Sequence, residues 1–240
     1  MKTIAIITAR GGSKRIPKKN IKNFMGKPML AYAIDACKKS SIFDSVMVST
    51  DSEEIAEIAR QERAEVPFMR SEKTAGDFAT TFDVLEEVIA EYGKRGKFFD
   101  ALCCIYPCVP FLTAETLRKA GMSFSGHESL MPVCKYPVPI EWAMRIDESG
   151  LLHSNDAKAQ QIRSQDLKPA YFDAGMFYFV TVEALKKYKT LYCPDNAAYI
   201  IDESECQDID TPDDWKMAEL KYRLFNDKNN SQGEKSENDN

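Results

Sequence analysis

Six cations crowd one loop near the amino terminus. Arg10, Lys14, Arg15, Lys18, Lys19 and Lys22 are set around Gly11, Gly12 and Gly26 in the run ARGGSKRIPKKNIKNFMGKPM. Glycine opens backbone conformations closed to other residues and lets main-chain amides approach an anion. With basic side chains beside it, such a loop suits a triphosphate. Neither G-x-x-x-x-G-K-[ST] nor G-x-G-x-x-G is present, so lysine and arginine would do here what a helix N-terminus does in those motifs. A solvated basic loop is the alternative, but that belongs inside a polar segment. This one follows an apolar run, KTIAIIT at 2–8.

A second candidate is D-I-D at 208–210. In extended backbone, Asp208 and Asp210 share one face and Ile209 points the other way, into a core. Two carboxylates so placed suit a hard cation. Magnesium takes one or two carboxylates and completes its shell with phosphate oxygens and water. The same stretch also reads as a capping turn, with Asp210 or Thr211 as cap and Pro212 in the first helical position. Asp213 and Asp214 suit the positive end of that helix.

Other chemistries find less support. Cys103, Cys104 and Cys108 lie close together, but His127 and His153 make no paired spacing with them, so zinc is not expected. The seven cysteines are an odd number and several sit in apolar runs, as reduced thiols of a cytoplasmic protein would. No run approaches the roughly 18 apolar residues of a membrane span, and the first apolar run is too short for a signal peptide. A net charge of −5 argues against a nucleic-acid partner.

The elements that must position these residues alternate. Strands are expected at 2–8, 45–51 and 98–107, and helices at 28–40, 52–64 and 80–94, with another starting at a Thr113 cap. That order predicts an α/β fold with a mainly parallel sheet and helices on both faces. Ligands collect at the carboxyl ends of such strands, where residues 8–19, 49–51 and 106–110 fall. The segment 130–180, interrupted by prolines, reads as a small antiparallel extension of a single domain spanning 1–225. Residues 226–240 lack apolar side chains and read as a disordered tail.

Taken in order, R-G-G-S-K-R-I-P-K-K-N-I-K at 10–22, G-K-P-M at 26–29, S-T-D at 49–51, R-S-E-K-T-A-G-D-F-A-T-T at 70–81 and Q-D-I-D-T-P-D-D-W at 207–215 resemble the motifs of the CMP-sialic acid synthetase group of cytidylyltransferases. Within it, Q-D-L-K-P-A-Y-F-D-A-G-M-F-Y at 165–178 resembles the branch that activates pseudaminic acid, a nine-carbon sugar acid. The resemblance implies a Rossmann-like three-layer sandwich, a homodimer, and transfer of CMP from CTP to an acidic nonulosonic sugar with Mg²⁺. It makes Arg10 and Lys19 the catalytic cations, joined at the nucleotide by Gly12, Ser13, Lys14 and Asn20. Arg70 and Thr81 would contact the cytidine, and Asp208 and Asp210 the metal.

Arg163 would pair with the sugar carboxylate through its planar fork, and Tyr106, Gln165 and Asp173 would complete the acceptor pocket. Two positions depart from the sialic acid enzymes. Tyr106 stands where they carry glutamine, and Glu141 where they carry lysine, which turns the acceptor away from N-acetylneuraminate and leaves the nucleotide half untouched. Without the resemblance, Arg70 is a surface cation and Thr80-Thr81 a helix N-cap. No residue of these motifs presents itself as a general base.

Overall fold

The computed structural model describes residues 1–76 and 78–237, and of 227–237 the backbone only. In chain order the elements are β1 (Thr3–Thr8), β2 (Asn23–Phe24), β3 (Lys27–Pro28), α1 (Met29–Ser40), β4 (Ser45–Ser49), α2 (Glu53–Gln61), α3 (Glu72–Ala75), α4 (Thr81–Lys94), β5 (Ala101–Ile105), α5 (Ala114–Phe124), β6 (Ser129–Lys135), β7 (Met144–Ile146), β8 (Leu152–Ser154), β9 (Tyr171–Asp173), β10 (Phe177–Thr181), α6 (Val182–Tyr188), β11 (Asn196–Ile201) and α7 (Pro212–Glu237).

The main sheet has seven strands in the order β11-β6-β10-β5-β1-β4, with β9 paired to β6. β4, β1 and β5 run parallel, as do β6 and β11, while β10 enters antiparallel between β5 and β6. Continuous apolar runs suit strands covered on both faces. Ala5 and Ile7 of β1 join Cys103 and Ile105 of β5 and Phe177 and Phe179 of β10 in the core beneath α1 and α5. Ile4, Ile6, Leu102, Cys104, Tyr178 and Val180 face the opposite way, onto α4 and α6. Helices on both faces make three layers.

Segment 130–180 supplies the antiparallel part of the sheet. β6, β9 and β10 are members of the main sheet, and the continuous buried runs of β6 and β10 suit strands covered on both faces. Only the excursion between β6 and β9 stands apart, built on the β7–β8 hairpin. At the C-terminus, α7 continues through Glu237 into the segment whose composition predicts a tail from 226. Once a packed first half fixes the helix, each further residue adds a hydrogen bond without a new nucleation cost. Residues 238–240 of that tail lie outside the described residues.

Candidate active site

A cavity of about 730 Å³ opens at the carboxyl edge of β1, β4 and β5. Its wall includes Arg10, Ser13, Lys14, Arg15 and Lys19 from the loop after β1, Arg70 and Thr81 from around α3 and α4, Tyr106 after β5, and Asp208 and Asp210 before α7. Residues far apart in sequence are thus brought to one surface, basic groups and a carboxylate pair together.

The loop is held from several directions. The Gly11 amide donates to Asp51 Oδ1 at 2.8 Å, and a Cβ at Gly11 would lie 3.1 Å from Ser52 Cβ. Gly12 has open space around it, so of the two Gly11 is the tighter position, and neither lines the cavity. Asn20 is buried, donates to the Arg10 carbonyl at 2.8 Å, and accepts from Cys108 Sγ at 3.3 Å. Its amide braces the loop. Burial pushes the Cys108 thiol up to about 12, which keeps it a neutral donor.

The six loop cations divide. Lys18 turns out to Glu54 at 2.7 Å, and Lys22 lies over the Trp215 ring at 4.4 Å. Arg10, Lys14, Arg15 and Lys19 remain at the cavity. Lys19 donates to the Ile209 carbonyl at 2.6 Å and reaches Asp210 Oδ1 at 3.2 Å, while Arg15 meets the other oxygen, Asp210 Oδ2, at 2.7 Å. Arg15 carries no assignment from its motif, and only the fold reveals its partner.

Ile209 is buried against Phe111 and Trp215, and both flanking aspartates face the cavity. Partial desolvation, and then the neighbouring Asp210 carboxylate, raise the Asp208 carboxyl above its ordinary value. The capping role falls elsewhere. Thr211 Oγ1 accepts from the Asp214 amide at 3.2 Å, and Asp214 Oδ2 accepts from the Thr211 amide at 2.7 Å. Asp210 is thereby free of that duty.

At the opposite wall, Arg70 donates to Ser49 Oγ at 3.1 Å and to the Ser49 carbonyl at 2.8 Å. Burial lowers its pKa, partly opposed by Asp51 and Glu87. It is a docked cation rather than a free surface one. Glu87 receives the Ser71 amide and hydroxyl, each at 2.8 Å, together with the Thr74 hydroxyl, and so pins the segment beneath Arg70. Nothing in the spacing of Glu87 announces that role. Thr80 caps α4 in a reciprocal box with Asp83, which leaves Thr81 at the cavity.

The acceptor candidates separate. Tyr106 lines the cavity and packs edge-on against Tyr178 at 5.4 Å. Burial raises its pKa, so it stands as a neutral phenol. Asp173 does not line the cavity. It accepts from Tyr178 at 2.8 Å, Tyr192 at 2.9 Å and the amide of Gly175 at 2.8 Å, and so orients the wall behind Tyr106. Arg163 and Gln165 sit on the exposed excursion outside the cavity, with Arg163 Nε on Asp166 at 2.9 Å.

A family model described as Cytidylyltransferase matches residues 4–195. The chain belongs to the cytidylyltransferase family. It is therefore a nucleotidyltransferase, and the basic loop of its cavity has the charge that such chemistry needs. A pseudaminic acid cytidylyltransferase of Campylobacter jejuni is 36% identical over 226 residues, covering 93% of this chain and 97% of that one. A CMP-N,N'-diacetyllegionaminic acid synthase of Legionella pneumophila is 32% identical over 230 residues, covering 93% and 97%. Among solved structures, a CMP:2-keto-3-deoxy-manno-octonic acid synthetase complexed with CTP matches at a TM-score of 0.69 and 14% identity, over 93% of this chain and 99% of that chain. What the cytidylyltransferase shares with that structure is the Rossmann-like fold. No helix among the described residues is long and apolar enough to cross a membrane.

Proposed function

We propose that this cytidylyltransferase transfers CMP from CTP to pseudaminic acid in the cytoplasm, releasing pyrophosphate. The observation that carries the reading is one cavity lined by Arg10, Lys14 and Lys19 together with Asp208 and Asp210. Fixed cations hold the triphosphate, orient its α-phosphorus toward the acceptor, and stabilise charge on the departing pyrophosphate. Arg70 and Thr81 bound the nucleoside end, and Tyr106, placed by Tyr178 and Asp173, bounds the acceptor end. The choice of acceptor leans on the Campylobacter relative.

Two carboxylates facing one cavity, with Asp208 raised partly by Asp210, form the donor set that a divalent cation relieves. The residues fit Mg²⁺, with Asp208 and Asp210 as holders. Bound there, the ion would offset negative charge on the triphosphate.

A homodimer completes the proposal. Val138, Met144, Ile146, Leu151 and Leu152 of the excursion are exposed apolar side chains, an arm suited to cover its counterpart on a second copy. In that arrangement Arg163 and Gln165 could approach a cavity that they do not line in one chain.

The test is pyrophosphate release with CTP over a panel of pseudaminic, legionaminic, N-acetylneuraminic and 3-deoxy-octulosonic acids, run with and without Mg²⁺. Turnover is expected with CTP and pseudaminic acid, and its loss in Asp210→Ala. Equal turnover with ATP or GTP would count against the nucleotide assignment, and preference for legionaminic acid would move the acceptor toward the Legionella relative's. Sedimentation at micromolar concentration checks the dimer.

A further inference from the structure

Asp210 has both carboxylate oxygens engaged by cations of the chain, and the two cations are held very differently. Lys19 is 21% exposed and is fixed a second time by the Ile209 carbonyl at 2.6 Å. Arg15 is 66% exposed and rests on Asp210 Oδ2 at 2.7 Å. A divalent ion on that oxygen would repel the guanidinium already resting there, so sharing it is costly. Withdrawal of one cation relieves that repulsion. An exposed arginine at a cavity mouth gives up an ion pair worth little in water, whereas withdrawing Lys19 would also break its bond to the backbone and strand it in the wall.

We infer that Arg15 is a resident counter-ion of Asp210, holding the carboxylate in place before the metal arrives and yielding its oxygen when a divalent cation binds. This rests on the reading of Asp208 and Asp210 as metal holders. Arg15 then competes with the metal for free enzyme, and Lys19 stays on the other oxygen and preserves the orientation of Asp210. Lys18 supplies the contrast. It carries the same charge on the same loop and is equally exposed at 66%, but is committed to Glu54.

The inference is tested by titrating Mn²⁺ into the full chain, with and without CTP, and reading free Mn²⁺ by electron paramagnetic resonance, which does not depend on turnover. Arg15→Ala and Arg15→Gln are expected to tighten Mn²⁺ binding to free enzyme by about two- to fivefold, the scale of an exposed ion pair. Arg15→Lys and Lys18→Ala should stay within about twofold of the parent. In an Asp210→Asn background, Arg15→Ala should change nothing, since the pair it breaks is already gone. Unchanged affinity in both Arg15→Ala and Arg15→Gln, or equal tightening in Lys18→Ala, overturns the inference and leaves the metal assignment standing. If the parent chain binds no Mn²⁺ with or without CTP, the metal assignment falls and the inference with it. Thermal melts of the variants, expected to match the parent because Arg15 is exposed, separate these outcomes from misfolding.

Discussion

Lys19 Nζ donates to the backbone carbonyl of Ile209 at 2.6 Å, across 190 residues of sequence. That bond ties the basic loop to the segment carrying Asp208 and Asp210, so one side chain links these two parts of the cavity wall. Lys19→Met keeps much of the length and removes the charge and the tether. A fall in kcat of about 10²–10³ is expected, the scale for losing a fixed group that stabilises developing charge. Steady-state kinetics with CTP check it, and a variant within threefold of the parent would remove Lys19 from the reaction.

Gly11 and Gly12 are neighbours with different constraints. A Cβ at Gly11 meets Ser52 Cβ at 3.1 Å, at the start of α2, whereas at Gly12 it meets nothing. Gly11→Ala should therefore displace the loop and lower kcat/KM for CTP by about tenfold, equivalent to roughly 1.4 kcal/mol. Gly12→Ala should change it by less than half that factor. The reverse order would mean that the loop rearranges when CTP binds.

Arg70 uses two nitrogens of its fork on Ser49, at 3.1 and 2.8 Å. An ammonium cannot reproduce that planar pair. Arg70→Lys is expected to raise KM for CTP by about tenfold with a smaller effect on kcat, as losing a hydrogen bond of a partly buried charged group costs about 1.5 kcal/mol. Initial rates over a CTP series separate the two parameters.

Glu87 offers a pH-dependent test. Partial burial acts to raise its pKa, but hydrogen bonds from Thr74 and Ser71, with the charge of Arg70, leave it below the ordinary carboxylate value. A carboxyl depressed in the folded state contributes stability that is present above its unfolded pKa, about 4.3, and is lost as pH falls through the folded value. Glu87→Gln should accordingly lower stability at pH 7 by about 1 kcal/mol, after discounting for solvent screening, a Tm shift of roughly 2–4 °C. The gap should close as pH drops below that of an ordinary carboxylate. Melts from pH 7 to pH 3 read the sign directly, and a gap that widens in acid would contradict it.

Much of the architecture was legible from periodicity. The apolar runs at 2–8 and 98–107 mark β1 and β5, because strands covered on both faces can carry no polar alternation. The insertion of antiparallel β10 between β5 and β6 was not legible, since a strand's own pattern reports which faces are covered and not which neighbour covers its edge.

For the site, the sequence by itself determined that a basic glycine loop follows the first strand and that Asp208 and Asp210 share a face opposite Ile209. Those are local consequences of residue type and a two-residue repeat. Only the tertiary structure decided that Lys18 and Lys22 leave the cavity for Glu54 and Trp215, and that Thr211 and Asp214 take the cap. It alone put Arg15 on Asp210, moved Asp173 behind Tyr106, and left Arg163 and Gln165 outside the wall. A side chain's type sets what it can bind, but its partner is chosen by what packing brings within about 3 Å, and spacing along the chain carries no record of that distance.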